Sequence, residues 1–265
     1  MIKKIITIFS IIISVLAPAA YAGASNEAQG INTKFTAEEI VSFSKKVERE
    51  IGSKGARVAI VSRVGRDKRE LPKGIEYTHV AYWVYSKTKS ADGKEIYGYK
   101  VYNLYQKDEK PDESHLVNNY PAEFFSDVYA LEAGVVIPKL KVQRAIAEMI
   151  FSDTYKNLHN ENYSVVSNPD NVKYQNCTEF ILDTLVSAIY KTDNLAQIKA
   201  NIGEYFDAQK VKINPFKRLL GSIFVEDFKT NDHDSAIKTT TYNSIKKFIS
   251  KYNLLEEEYV VTNAI

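Results

Sequence analysis

The sequence predicts an α+β domain, and three observations carry that expectation. Residues 36–51 combine a capping box with an apolar stripe at helical spacing. Residues 78–85 and 97–106 are aromatic and β-branched runs on either side of an Asp92-Gly93 turn, the mark of an antiparallel hairpin with a longish loop. No internal repeat and no low-complexity linker divides the chain. Residues 36–252 therefore read as one domain ending in a helical portion, with 253–265 as a C-terminal tail.

Taken in order, residues 1–22 read as an export signal. Lys3 and Lys4 form the positive start, residues 5–16 an apolar run too short to span a bilayer, and Ala20-Tyr21-Ala22 a small-x-small cleavage site. No cysteine lies in this leader to carry a lipid anchor, and no second long apolar segment follows, so no transmembrane span is expected once the signal is removed. Residues 23–35 are small and polar, a disordered lead-in. The 36–51 helix has Thr36 as cap, Glu39 as its partner, the stripe Ile40, Phe43, Val47 and Ile51, and Gly52 as its stop. Residues 56–62 read as a strand. The run from Arg63 to Glu70, with Leu71-Pro72-Lys73-Gly74 after it, reads as a charged loop, able to meet an anion but ordinarily just solvated. Beyond the hairpin, 107–119 read as polar loop, and 121–131 and 139–158 as helices joined by the apolar connection Gly134-Val135-Val136-Ile137-Pro138. Residues 160–173 are irregular, with Tyr163-Ser164-Val165-Val166 extended. Helices are then expected at 195–206, 215–223 and 241–252, a short strand at 211–213, and a polar loop at 230–235.

The chain carries 35 basic and 33 acidic residues, a net charge of +2 with no basic field, which excludes a nucleic-acid footprint. Its 18 Tyr and 12 Phe suit a Tyr-rich sheet. Its single cysteine, Cys177, cannot form an intramolecular disulfide. Asn176 is a good N-cap, Glu179 stands where a capping box wants it, and Phe180, Ile181, Leu185 and Ile189 share one helical face, so Cys177 is placed in a first helical turn. Unpaired N–H groups and the positive end of the dipole favour a thiolate there. The plainer reading is that a free cysteine is a small buried hydrophobe.

A nucleophilic thiol needs a base and a group to orient that base. His115 and His159 lie in polar, exposed-looking contexts. His233 lies between Asp232 and Asp234, a weak metal pattern without further His or Cys, so no metal is assigned. His79 opens an apolar strand and is the candidate base. On the paired strand Asn103 and Gln106 fall on opposite faces, and Asn103, the polar uncharged residue of the strand interior, is chosen to accept the ring N–H.

This order, a strand histidine, a polar residue on the next strand, then Asn-Cys at a helix start, resembles the circularly permuted branch of the NlpC-type papain-like superfamily. Asn176-Cys177-Thr178-Glu179-Phe180 is similar to the nucleophile segment of its acyltransferase members. More closely, the chain resembles the bacterial family called domain of unknown function 2145, over residues 36–252. The carriers are the run from Arg57 to Asp67, Tyr77-Thr78-His79-Val80, Tyr163-Ser164-Val165-Val166, Tyr174-Gln175-Asn176-Cys177 and Asp232-His233. The family often has histidine at the Asn103 position and Asn-Gln-Trp after the cysteine, where this chain has Thr178-Glu179-Phe180. The resemblance implies a permuted papain-like fold, an antiparallel sheet packed against helices, and a periplasmic address. With the residues above, the expectation is a cysteine hydrolase cleaving an amide in a peptide or cell-wall peptide. Cys177 is its nucleophile, His79 its base and Asn103 the orienting residue, with Gln175 and Asn176 at the oxyanion side of the cleft and no cofactor. The alternatives are a lipid or thioester acyltransferase on the same scaffold and a non-catalytic binding module. The sequence sets neither the substrate nor the oligomeric state.

Overall fold

The computed structural model of the chain describes residues 34–89, 92–212, 227–234 and 236–263. The expected signal, nearly all of the lead-in and the expected helix at 215–223 lie outside them. Helix α1 (Ala37–Ser53) begins on the expected box, with the Thr36 hydroxyl accepting from Glu39 N and the Glu39 carboxylate from Thr36 N. Its buried face is Ile40, Phe43, Val47 and Ile51. The helix runs past Gly52, and the positive φ of +66° that follows it falls on Gly55.

Six strands form one antiparallel sheet in the order β4-β3-β2-β1-β5-β8. They are β1 (Val58–Val64), β2 (His79–Lys89), β3 (Glu95–Gln106), β4 (Ser114–Asn119), β5 (Ala130–Pro138) and β8 (Leu255–Thr262). A short α2 (Pro121–Phe124) precedes β5. Then come α3 (Leu140–Ile150), α4 (Thr154–Asn157), α5 (Cys177–Tyr190) and α6 (Leu195–Tyr205). A two-stranded ribbon, β6 (Gln209–Lys210) with β7 (Lys238–Thr239), and α7 (Tyr242–Lys251) complete the order.

Alternation along the inner strands divides the core in two. Val58, Ile60, Val80, Tyr82 and Leu104 pack with α3, α5, α6 and α7. Ala59, Val61, Ala81, Trp83 and Val101 pack with α1 and α2 on the other face. Each large apolar side chain buried this way contributes about 1.5–3 kcal/mol. No helix among the described residues is long and apolar enough to cross a membrane.

Several expectations are corrected. The connection at 134–138 is part of β5, an inner strand covered on both faces. A run that is apolar on both sides loses its period of two and reads as linker. The loop expected at 107–119 contains β4. The expected tail is the edge strand β8, with Glu256 and Glu258 exposed and Val261 buried, the charged edge that discourages further pairing. The helix at 121–131 shrinks to the single turn of α2, and that at 139–158 breaks between α3 and α4. Strand β1 starts two residues later than expected and takes in Arg63 and Val64, so the charged run loses both to the sheet. Of the short strand expected at 211–213, residues 211 and 212 follow the strand β6 rather than form one, and residue 213 lies outside the described residues.

Gly134 in β5 is required by close approach. A Cβ there would meet Ser62 Oγ at 2.6 Å and the Tyr242 ring at 2.8 Å, whereas one at Gly203 in α6 meets nothing within 4 Å. Gly134→Ala is expected to lower stability by about 1–3 kcal/mol, while Gly203→Ala raises it by about 0.5–1 kcal/mol. Urea midpoints of the two variants check both signs.

Candidate active site

The start of α5 is built by Asn176. Its Oδ1 accepts from Thr178 N at 3.0 Å and Glu179 N at 2.9 Å. Its Nδ2 donates to Val165 O and to Thr239 Oγ1, and its backbone N–H donates to Ser167 Oγ. The expected box is only half made. Glu179 turns away from the cap to Lys199, whose Nζ lies 2.6 Å from Glu179 Oε1 and 2.8 Å from Asp183 Oδ1. The Cys177 N–H, in the first turn, has no intrahelical acceptor.

Cys177 packs on the α5 face of the sheet and is only 4 % exposed. Its Sγ lies 3.7 Å from Thr178 Oγ1 and within reach of the Val80 N–H. Burial pushes the thiol above its ordinary pKa, and the Thr178 and Val80 contacts offset only part of this. Against the expected thiolate, desolvation outweighs these contacts and the Arg63 charge. Beside the thiol lies a cavity of about 70 Å³, walled by Leu71, Ile75, Val165, Val211 and Thr240 among others.

His79 opens β2. It stands opposite Arg63 of β1, and its side chain lies with Ala81 and Trp83 on the α1–α2 side. The ring stacks on Tyr105 at 4.7 Å between centroids and meets Phe124 at 5.5 Å. Arg63 Nη1 is anchored on Phe124 O at 2.5 Å. His79 Nε2 lies 3.1 Å from Asn103 Oδ1, and Asn103 Nδ2 donates to Asn119 Oδ1 at 2.9 Å. With its amide nitrogen committed to Asn119, Asn103 offers His79 an acceptor. Nε2 therefore carries the proton, and Nδ1, which is buried and has no hydrogen-bond partner, carries the lone pair. Burial first, and the Arg63 charge second, hold the His79 pKa well below its ordinary value, so the ring is neutral.

The structure thus joins His79 to Asn103 and brings Cys177 to the peptide after His79 rather than to the ring itself. The thiol and the imidazole lie on opposite faces of β2, and no hydrogen bond links them among the described residues. The pairing of β2 with β3 ends at Tyr82 opposite Tyr102, so His79 and Asn103 stand beyond the ladder, where the sheet is open.

Gln175, the expected side-chain oxyanion donor, is corrected. Its Nε2 donates to Leu158 O and Asp183 Oδ2, and its Oε1 accepts from Asn160 N, which leaves nothing for a ligand. Gln106 binds Pro111 O and Asp227 Oδ2, away from the imidazole. Asp232 and His233 are buried rather than part of a solvated loop. Asp232 accepts from Asn168 N, and His233 Nε2 lies 2.8 Å from Val166 O, so both hold the segment under Cys177. His115 and His159 are half-buried rather than exposed, and His159 Nε2 lies 3.0 Å from Ser114 Oγ. Sequence reading missed Asn119, because β4 was read as loop, and Arg63, although alternation along Val58 to Val64 places it on the His79 face.

Residues 50–249 match the family described as "Uncharacterized protein conserved in bacteria (DUF2145)". No curated protein and no solved structure matches the chain.

A histidine buried neutral has a folded-state pKa below its unfolded value of 6.5. The folded state binds fewer protons than the unfolded one, and stability falls as pH drops below that value. The wild type is expected to lose stability relative to His79→Gln by up to about 1.4 kcal/mol per pH unit. Urea unfolding of both proteins from about pH 7.5 to about pH 5.5 measures the difference.

Proposed function

The chain belongs to the DUF2145 family, and we propose that it is an exported cysteine hydrolase that cleaves an amide through Cys177 and His79. One observation carries this reading. A thiol at a capped helix start lines a cavity and touches the peptide next to a histidine whose Nδ1 is unpartnered and whose Nε2 is held by Asn103. Cys177 Sγ attacks the substrate carbonyl while His79 Nδ1 takes the thiol proton and later returns it to the leaving amine. Asn103, fixed by Asn119, keeps the proton on Nε2 through both steps. The Cys177 N–H, and the Val80 N–H once the thiol has moved to the substrate, are the donors for the oxyanion. The transfer needs Sγ and Nδ1 to come together in the substrate complex; catalytic contacts are often completed only when substrate binds.

The six-stranded antiparallel sheet, the strand His79, the neighbouring-strand Asn103 and the later helix-start Cys177 support a place in the permuted NlpC-type papain-like superfamily. The Lys3, Lys4 and Ala20-Tyr21-Ala22 leader supports a periplasmic address. A second reading, a non-catalytic binding module using the same cavity, is favoured by the raised thiol pKa and by the imidazole lying across β2 from the sulfur.

Alkylation of Cys177 by iodoacetamide separates the two, because no other thiol exists. Under the hydrolase reading, His79→Ala slows alkylation at neutral pH by at least about tenfold, and Asn103→Leu does so to a smaller degree. Equal rates in wild type and His79→Ala would sink the hydrolase and leave the binding module.

A further inference from the structure

The cavity beside Cys177 is closed on one side by a short stretch of chain. Leu71, Pro72 and Ile75 belong to its wall and are half-buried, while Lys73, Gly74 and Glu76 are exposed. A single thickness of chain therefore stands between cavity and solvent there. Its ends are pinned. Lys68 Nζ lies 2.7 Å from Glu132 Oε1, and Tyr77 OH donates to the same oxygen at 2.9 Å. The Lys68 ammonium also lies 5.2 Å from the centre of the Tyr77 ring. One carboxylate of β5 thus draws both ends of the loop together, the geometry of an Ω-loop. Beyond Tyr77, Thr78 N donates to Arg63 O and Thr78 Oγ1 accepts from Gly65 N, which ties the returning chain to the end of β1.

The middle is held differently. Glu70 N donates to Asp67 O, Leu71 N to Lys68 O and Ile75 N to Pro72 O, all within the loop. Among the described residues, no hydrogen bond or ion pair runs from 70–76 to the rest of the protein. Apolar contact alone holds it, through Leu71 and Pro72 on the cavity and Ile75 on the small cluster of Val166, Val211, Phe228 and Ile237. The other described walls are tied in. Val165 N donates to Asp227 O and Val165 O accepts from Asn176 Nδ2, Val211 N donates to Ile237 O, and Thr241 caps α7 by accepting from Ser244 N. Segments with few apolar contacts and no outside hydrogen bonds open at the lowest cost in free energy.

We propose that residues 70–76 are a lid, shut over Cys177 in this structure, that opens about its pinned ends at Lys68 and Tyr77 and admits substrate to the thiol while the sheet and α5 stay in place. The inference concerns access to Cys177, which is only 4 % exposed, so it goes beyond the hydrolase reading and holds equally for a binding module. Shut, the lid keeps water from the thiol; open, it lets a ligand reach it.

Iodoacetamide alkylation of Cys177 in the whole mature protein reads the opening, because no other thiol exists. In the wild type the rate is expected to stay flat in urea well below the unfolding midpoint, since opening a lid exposes little surface. Leu71→Ala and Ile75→Ala weaken the apolar hold and are expected to speed alkylation at least about tenfold. Glu132→Ala frees both ends without touching the cavity wall and is expected to speed it about two- to tenfold. Val47→Ala, in the core across the sheet, lowers the urea midpoint but is expected to leave the rate within about twofold of wild type. A wild-type rate that climbs with urea from the start, in step with global unfolding, would overturn the lid without reference to any variant. So would Leu71→Ala and Ile75→Ala reacting at the wild-type rate, or Val47→Ala speeding alkylation as much as they do. A wild-type rate in Glu132→Ala would overturn the pinned ends. These outcomes are separate from the His79→Ala comparison: a lid that opens on a thiol indifferent to His79 leaves the lid standing and removes the hydrolase.

Discussion

The commitment of Asn176 to four partners is the constraint on which the site depends. One amide caps two N–H groups of α5, holds Val165 O on the segment before the helix, and reaches Thr239 in the ribbon that precedes α7. The cavity walls come from these same pieces, residues 163–166, the first turn of α5, and 239–241. A capping residue is worth about 0.5–2 kcal/mol to a helix. Here it also sets where the thiol stands relative to three chain segments far apart in sequence.

Behind the cap, α5 runs through the centre of the larger core, buried along most of its length. That burial has an electrostatic cost. Glu179 and Asp183 are both fully buried, with one ammonium, Lys199, between them. Two carboxylates share one cation, so burial pushes both upward and takes Glu179 to about 7. Removing one partner of such a cluster typically costs about 3–5 kcal/mol, because the remaining charge is left without water. The desolvation that presses on these carboxylates also raises Cys177 and lowers His79, which keeps both members of the candidate pair neutral at rest. Chemistry at this site therefore starts from a neutral thiol and a neutral imidazole, and proton transfer belongs to the step in which substrate is attacked.

Local signals were legible where one residue decides one geometry. The Thr36 and Glu39 box, the Asp92-Gly93 turn and the Asn176 cap were all visible, since each depends on neighbours within a few positions. So was the placing of Asn103 beside His79, because antiparallel pairing of two consecutive runs brings their ends together. Strands β4, β5 and β8 were not legible. β5 is covered on both faces and has no alternation to show. β8 is an edge whose glutamates resemble a solvated tail. β4 is short, and its buried positions Ser114 and Asn119 are polar. Gln175 was misjudged for a related reason: proximity to Cys177 in sequence said nothing about Leu158 and Asp183, which claim its amide.

The sequence by itself determined that an α+β domain would form, that Cys177 would begin a helix, and that His79 and Asn103 would neighbour each other, because propensity, capping and strand pairing act over short distances. Only the tertiary structure decided the environment of those groups. Whether Cys177 is charged depends on how much water α5 loses when it packs under β2. Which face His79 occupies depends on strand register, and the cavity beside the thiol depends on the meeting of 163–166, α5 and 239–241. These are sums over contacts between segments distant in the chain, and no local pattern encodes them.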